Sequence, residues 1–143
     1  MRLVVQRVTK AEVKIDGEVV GKIKKGLFVL VGVKEGDSLK DAEGLAEKLA
    51  KLRVMADEAG KMNLSVKDVN GEVLLVSQFT LYADTTGGNR PSFIQAAAPA
   101  LAEEIYGYFI TKLKDLGVNV QTGQFGGYME IEAELDGPVT IIM

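Results

Sequence analysis

No histidine and no cysteine occur among the 143 residues. Without cysteine, disulfides, thiolate metal sites and a cysteine nucleophile are excluded. Without histidine, the usual general base at neutral pH is missing. A Ser-His-Asp triad and a histidine-based zinc site go with it. Any enzymatic chemistry must come from carboxylates, lysine, tyrosine, hydroxyls, backbone groups or the substrate itself. Long apolar runs are also missing. The longest, Leu27 to Val33, is broken by Gly32 and is far too short to span a bilayer. Met1 to Val5 lack the charged region and long apolar stretch of an export signal. There are no internal repeats, low-complexity tracts or interdomain linkers. The expectation is one cytoplasmic domain over residues 1–143 with no membrane partner. The net charge of −3 gives no general attraction to nucleic acid, so DNA is not an expected partner.

What is present suits a folded core, because 47% of the residues are hydrophobic. Residues 2 to 23 read as a strand, a short break and a hairpin turning at Asp16-Gly17. Leu27 to Val33 reads as a buried strand. Ser38 and Asp41 mark a helix start. Leu39, Ala42, Leu45, Ala46, Leu49 and Leu52 follow on one helical face. Residues 56 to 72 read as loop, and Val73 to Val76 as a second buried strand. Residues 82 to 92 form an ordered loop rich in Gly, Asn, Thr and Pro. Pro99 opens a second helix, with Leu101, Ile105, Phe109, Leu113 and Leu116 on its buried face and Gly117 as its cap. Val118 and Val120 begin another strand. Met129, Ile131 and Ala133 alternate with glutamates, Asp136-Gly137-Pro138 reads as a turn, and Val139 to Met143 as a last strand. The fold class is α+β: a mostly antiparallel, barrel-like sheet with two main helices. The apolar C-terminus is either buried in the domain or part of a subunit interface.

Several clusters carry two readings. Ser77, Gln78, Phe79 and Thr80 follow a buried strand directly, as strand-end caps plus one core Phe or as a site. Gly137-Pro138 is a plain turn or a recognition element that lets another backbone come close. Arg7, among apolar neighbours, is a surface ion-pair partner or a donor to backbone carbonyls. Asn89 to Phe93 reads as a loop capped by Ser92. The glycine-rich run at 123–127 lacks the strand-to-helix setting of a phosphate loop.

Taken together, five segments resemble one family: MRLVVQRVTKAEVKIDGEVVGKI, DEAGKMNLSV, SQFTLYADTTGGNRPSF, GQFGGYMEIE and DGPVTI. They occur in the order and spacing of the bacterial D-aminoacyl-tRNA deacylases, from Met1 to Met143. The resemblance implies a cytoplasmic homodimer that acts on aminoacylated tRNA at its acceptor end, as a proofreading step in translation. It implies no cofactor and no metal. Ser77, Gln78, Phe79 and Thr80 match the motif lining the pocket for the terminal adenosine and its aminoacyl group. Gly137 and Pro138 match a Gly-cisPro motif that enters the opposite subunit's pocket. Arg7 matches the arginine that holds that motif, and Met129 lines the same region. Leu135 stands where the family pattern has asparagine, so a polar contact beside the turn is not expected.

This resemblance implies a mechanism. The ester is already activated, so water attacks while N–H groups near Phe79 and Thr80 stabilise the oxyanion. The neighbouring ribose hydroxyl assists, and Thr80 as a covalent nucleophile is the competing route. Carbonyls of Gly137 and Pro138 exclude an L side chain. Glycine offers nothing to exclude, so glycyl-tRNA is an expected substrate. Lys22, Lys24 and Lys25 form a basic cluster, and with Arg90 they are candidate tRNA contacts.

Overall fold

Buried positions in the first segment fall at Leu3, Val5, Val8, Ala11 and Val13. That spacing skips twice, which suggests a break. The computed structural model, which describes residues 1–143, has none. A single strand, β1 (Arg2–Ile15), runs through. The skips are absorbed as irregularities in its pairing with another strand, between Gln6 and Val8 and between Val8 and Lys10. Asp16 and Gly17 then turn the chain with φ of 50° and 80°, as a two-residue hairpin of this hand requires.

The order continues with β2 (Glu18–Ile23), β3 (Gly26–Gly32), α1 (Leu39–Ala50), β4 (Met55–Ala56), β5 (Met62–Leu64), β6 (Glu72–Ser77), a 3-10 turn (Phe79–Tyr82), α2 (Pro99–Asp115), β7 (Asn119–Thr122) and β8 (Glu130–Ile142). Residues 56 to 72 therefore hold a short strand pair as well as loop. α1 begins in a capping box between Ser38 and Asp41, and α2 has Pro99 in its first turn. Gly117 follows α2 with φ of 79°, the left-handed value of a helix cap.

One edge of β1 serves two partners. Residues 2–8 pair with β3 and residues 11–15 with β2, both antiparallel. Along the other edge β8 pairs antiparallel from Val4 to Lys14. β6 then adds parallel to β3, and β7 parallel to β6. The sheet is mixed and nearly closes, because β2 comes against β7 at Gly21 and Thr122. Parallel pairing needs a long crossover, and α1 and α2 provide them. The helices pack on one face of the sheet, joined at the surface by a 2.8 Å ion pair between Lys112 and Glu43.

Two cores result. The larger holds 22 buried residues between helices and sheet, including Leu3, Val5, Leu49, Ile105 and Phe109. The smaller holds seven residues inside the near-barrel, including Val8, Val13, Phe28 and Leu74. β6 serves both: Val73 and Leu75 face the helices while Leu74 and Val76 face the barrel interior. A strand covered on both faces reads as a continuous apolar run, as this one does. No helix is long and apolar enough to cross a membrane.

Gly21 sets the closure. A side-chain carbon there would collide with the carbonyl of Thr122 and reach 3.2 Å from Leu74 Cδ1. Gly21→Ala should therefore lower stability by about 1–3 kcal/mol, the usual range for overpacking. In urea this reads as a lower midpoint at an unchanged slope.

Candidate functional site

β6 ends where its apolar run gives way to Ser77 and Gln78. The exit is held by the Gln78 N–H, which donates to the Val31 carbonyl at 2.8 Å. The chain then enters the Phe79–Tyr82 turn. Leu81 is the first residue whose N–H bonds back within it, to the Gln78 carbonyl at 3.3 Å. The N–H groups of Phe79 and Thr80 come before that bond and have no partner inside the turn. The Gln78 amide donates to the Thr80 hydroxyl. The Phe79 ring is 54% exposed and meets Phe93 edge-on, with centroids 5.0 Å apart.

This strand end opens on a cavity of about 820 Å³. Its walls are Ser77, Gln78 and Phe79, the start of α2 from Ala98 to Ala102, and the segment from Phe125 to Met129. That volume suits a nucleoside-sized ligand. Its polar side chains are those of Ser77, Gln78 and Tyr128, with no carboxylate, lysine or arginine. The cavity can therefore orient a substrate and present backbone donors, but its own side chains include no base for neutral pH.

Behind the wall, Tyr106 donates its hydroxyl to the Leu75 carbonyl at 2.9 Å. Burial pushes that hydroxyl well above the usual tyrosine range, so it stays a neutral donor. The same carbonyl accepts from the Gly123 N–H at 3.1 Å, which ties β6 to the glycine-rich segment. Neither Tyr106 nor the cavity residues Phe93, Phe125 and Tyr128 stand out in the sequence. Tyr106 lies off the apolar stripe identified on α2, and the others look like ordinary loop aromatics.

Of the sequence candidates, Ser77, Gln78, Phe79 and Met129 line this cavity, with Thr80 next on the same turn. Arg7, Gly137 and Pro138 do not line it. They meet elsewhere, along the pairing of β1 with β8. Val8 pairs with Leu135 and Gln6 with Thr140, so residues 136–139 bow out opposite Arg7. The Arg7 Nε–H donates to the Asp136 carbonyl at 3.1 Å and lies 3.0 Å from its carboxylate. An Nη1–H donates to the Val54 carbonyl at 2.9 Å. Arg7 is thus both a donor to backbone carbonyls and an ion-pair partner. The expected turn at Asp136 to Pro138 is instead a bulge inside one continuous strand. The reason is that β1 keeps bonding to β8 on both sides of it. Gly137 has φ of 140°, and a side-chain carbon there would lie 2.6 Å from the Val139 nitrogen. The Gly137–Pro138 bond is cis.

None of the basic candidates lines the cavity. Lys22 pairs with Glu12 at 2.9 Å. The Lys24 N–H donates to the Glu72 carboxylate at 2.8 Å, and the Lys25 carbonyl accepts from the Glu72 N–H at 3.2 Å. Glu72 starts β6, so these lysines sit about 16 Å from its Ser77 end at 3.3 Å per residue. Arg90 is exposed in the loop closed by the paired backbones of Asp84 and Ser92.

Comparison with known proteins adds to this geometry. The family model described as D-Tyr-tRNA(Tyr) deacylase matches residues 4–143. A D-aminoacyl-tRNA deacylase of Lactobacillus gasseri is 53% identical over 143 residues, covering 100% of this chain and 99% of that protein. One from Clostridium acetobutylicum is 51% identical, covering 100% and 96%. A solved structure of a c-Myc DNA Unwinding Element Binding Protein superposes with a TM-score of 0.93 at 40% identity, covering 100% and 97%. A probable eukaryotic D-amino acid tRNA deacylase shares the fold, with a TM-score of 0.85 at 14% identity over 99% and 97%.

The cavity floor yields a test. A side-chain carbon at Gly123 would lie 2.5 Å from the Met129 sulfur and 3.4 Å from Val13 Cγ1. The sulfur end is flexible and can yield toward the cavity. Gly123→Ala should therefore cost only about 1 kcal/mol while displacing Met129. In methionine-methyl NMR, one of the five resonances should move strongly and the others should hold.

Proposed function

The chain belongs to the D-Tyr-tRNA(Tyr) deacylase family, and on that premise we propose that its cavity hydrolyses the ester between a D-amino acid and the terminal ribose of tRNA. The observation that carries the proposal is the cavity itself: nucleoside-sized, mostly apolar, bordered by the turn of Phe79 and Thr80, and lined by no carboxylate, lysine or arginine. An aminoacyl ester is activated enough to need only a held water and a stabilised oxyanion. The N–H groups of Phe79 and Thr80 are free within their turn to take that oxyanion, and losing one such donor typically costs about 10²–10³ in rate. The ribose hydroxyl next to the ester supplies the proton transfer that the chain cannot. Thr80 is disfavoured as a nucleophile because its hydroxyl accepts from the Gln78 amide, with no base beside it.

Selection for the D form is assigned to a second subunit. Ile131, Leu135 and Ile142 are 38%, 48% and 72% exposed along β8, an edge strand of 13 residues. An unpaired strand edge of that length with exposed apolar side chains can serve as an association surface. The bulge of residues 136–139 projects from this strand, braced by Arg7. In a two-fold dimer it would enter the partner's cavity and set the carbonyls of Gly137 and Pro138 against the α-carbon. An L side chain would meet those oxygens, whereas a D side chain would point away. Glycine carries nothing to exclude, so glycyl-tRNA(Ala) is a second substrate on this reading. Only the acceptor end is held, which agrees with a chain of net charge −3. A noncatalytic nucleic-acid-binding role, raised by the name of the 40% identical DNA-unwinding-element binding protein, would require neither the cavity nor the projecting corner.

Labelled tRNA decides between these. The protein should release tyrosine from D-Tyr-tRNA and glycine from Gly-tRNA, and leave L-Tyr-tRNA intact. Glycyl-tRNA that survives enzyme levels clearing D-Tyr-tRNA would sink the steric account. Complementation tests the shared site. A variant damaged at Gln78 and one damaged at Gly137 should each be inactive alone. Mixed and reassociated, they should regain about a quarter of wild-type sites, the statistical yield for a two-fold dimer.

A further inference from the structure

The turn that carries Phe79 and Thr80 is gripped from outside by one side chain. Arg2, second residue of the chain and first of β1, pairs across the sheet with Gly32, the last residue of β3. From there its Nη1–H donates to the Leu81 carbonyl at 2.6 Å. Its guanidinium carbon stands 4.9 Å from the centre of the Tyr82 ring. Planar, always charged and able to stack and donate at once, a guanidinium suits this double contact as no other side chain does.

Gly32 lets the turn come close enough. A side-chain carbon there would lie 3.1 Å from Leu81 Cβ, 3.2 Å from Tyr82 Cε2 and 3.3 Å from the Gln78 carbonyl oxygen. The turn rests on bare backbone at Gly32 while Arg2 closes over it. Bonds within the turn come from its own residues: Leu81 to Gln78, Ala83 to Thr80, and the Gln78 amide to Thr80. The side-chain bond that reaches it from the rest of the molecule is that of Arg2.

We propose that Arg2 is a positioning residue for hydrolysis, fixing the Phe79–Tyr82 turn through the Leu81 carbonyl and the Tyr82 ring so that the Phe79 and Thr80 N–H groups keep their aim. Arg2 does not line the cavity and touches no substrate. Its effect falls on the transition state, because donors aimed at an oxyanion lose most when they drift, and misplacement of about 1 Å costs on the order of 100-fold. This inference rests on the reading of those N–H groups as the oxyanion donors.

Two measurements on the full chain judge it. In single-turnover release of D-tyrosine, Arg2→Met keeps the stem and removes charge and donors. It should lower kcat about 10- to 100-fold with KM changed less than about threefold. Arg2→Lys, which keeps a cation and a donor, should recover at least about half of that loss on a logarithmic scale. Adding Tyr82→Leu to Arg2→Met should cost little more than Arg2→Met alone, since the two act as one contact. In parallel, amide hydrogen exchange should speed at the Leu81 and Ala83 N–H groups by about tenfold or more in Arg2→Met, with α2 amides unchanged. Wild-type exchange at those amides, wild-type kcat in an active background, or a loss wholly in KM would overturn the proposal. A wild-type protein that releases no D-tyrosine would overturn the oxyanion reading instead, while the exchange experiment still judged the brace. Should Arg2→Met fail to fold, Gly32→Ala lifts the turn by its added methyl and must show the same split between kcat and KM.

Discussion

Both halves of the proposed site hang from β1. Its 14 residues bond along two edges to three other strands. Through β3 it sets the position of β6, whose end forms the cavity wall. Through β8 it sets the bulge that carries Gly137 and Pro138. Arg2 and Arg7 are on this strand, one reaching the Phe79 turn and the other the Asp136 carbonyl. The consequence is mechanical. A wall and a corner proposed to meet across two subunits would need a common reference, and one doubly paired strand is stiffer than any loop. A net hydrogen bond contributes only about 1 kcal/mol. The rigidity therefore comes from the length of the ladder and from the two cores that clamp it.

A site without histidine, cysteine or an acid in its cavity constrains chemistry in a useful direction. Neutral N–H donors need no particular protonation state to act. They do need a fixed backbone, because a peptide cannot be re-aimed by rotating a side chain. The surroundings of the turn fit that demand. Val73 to Val76 are buried on both faces, Tyr106 fastens the Leu75 carbonyl, and Gly32 and Gly123 let neighbours approach where a side chain would block them.

Much of this was legible in the residues. The capping box at Ser38, Pro99 in α2, the hairpin at Asp16-Gly17 and the buried run before Ser77 follow from local chemistry, and each appears in the structure. The failures share a cause. The break expected in β1 and the turn expected at Asp136 to Pro138 are both strand irregularities. Local spacing cannot distinguish a bulge from a chain reversal, because the difference lies in whether the partner strand continues. The parallel placement of β6 and β7 is likewise set by crossovers far away in sequence. The cavity was half visible: the polar cluster at Ser77 to Thr80 announces a strand end, whereas Phe125, Tyr128 and the α2 wall arrive only through packing.

Charge pairing on the outer strands bears on how tRNA would be held. On β1, β2 and β8 the charges form a ladder: Lys14 with Glu12 and Glu132, Lys22 with Glu12, and Lys10 with Glu134. Lys22 and Lys14 hold the Glu12 carboxyl below its usual range. Exposed pairs of this kind add little stability. They do occupy lysines that would otherwise attract phosphates. On the proposed reading only the acceptor end is held, so a strong grip on the body of the tRNA would add nothing. A broad basic face would retain tRNA that carries correct L-amino acids. Weak attraction combined with a shaped, apolar cavity would move discrimination from charge to stereochemistry, where the two hands of an amino acid differ.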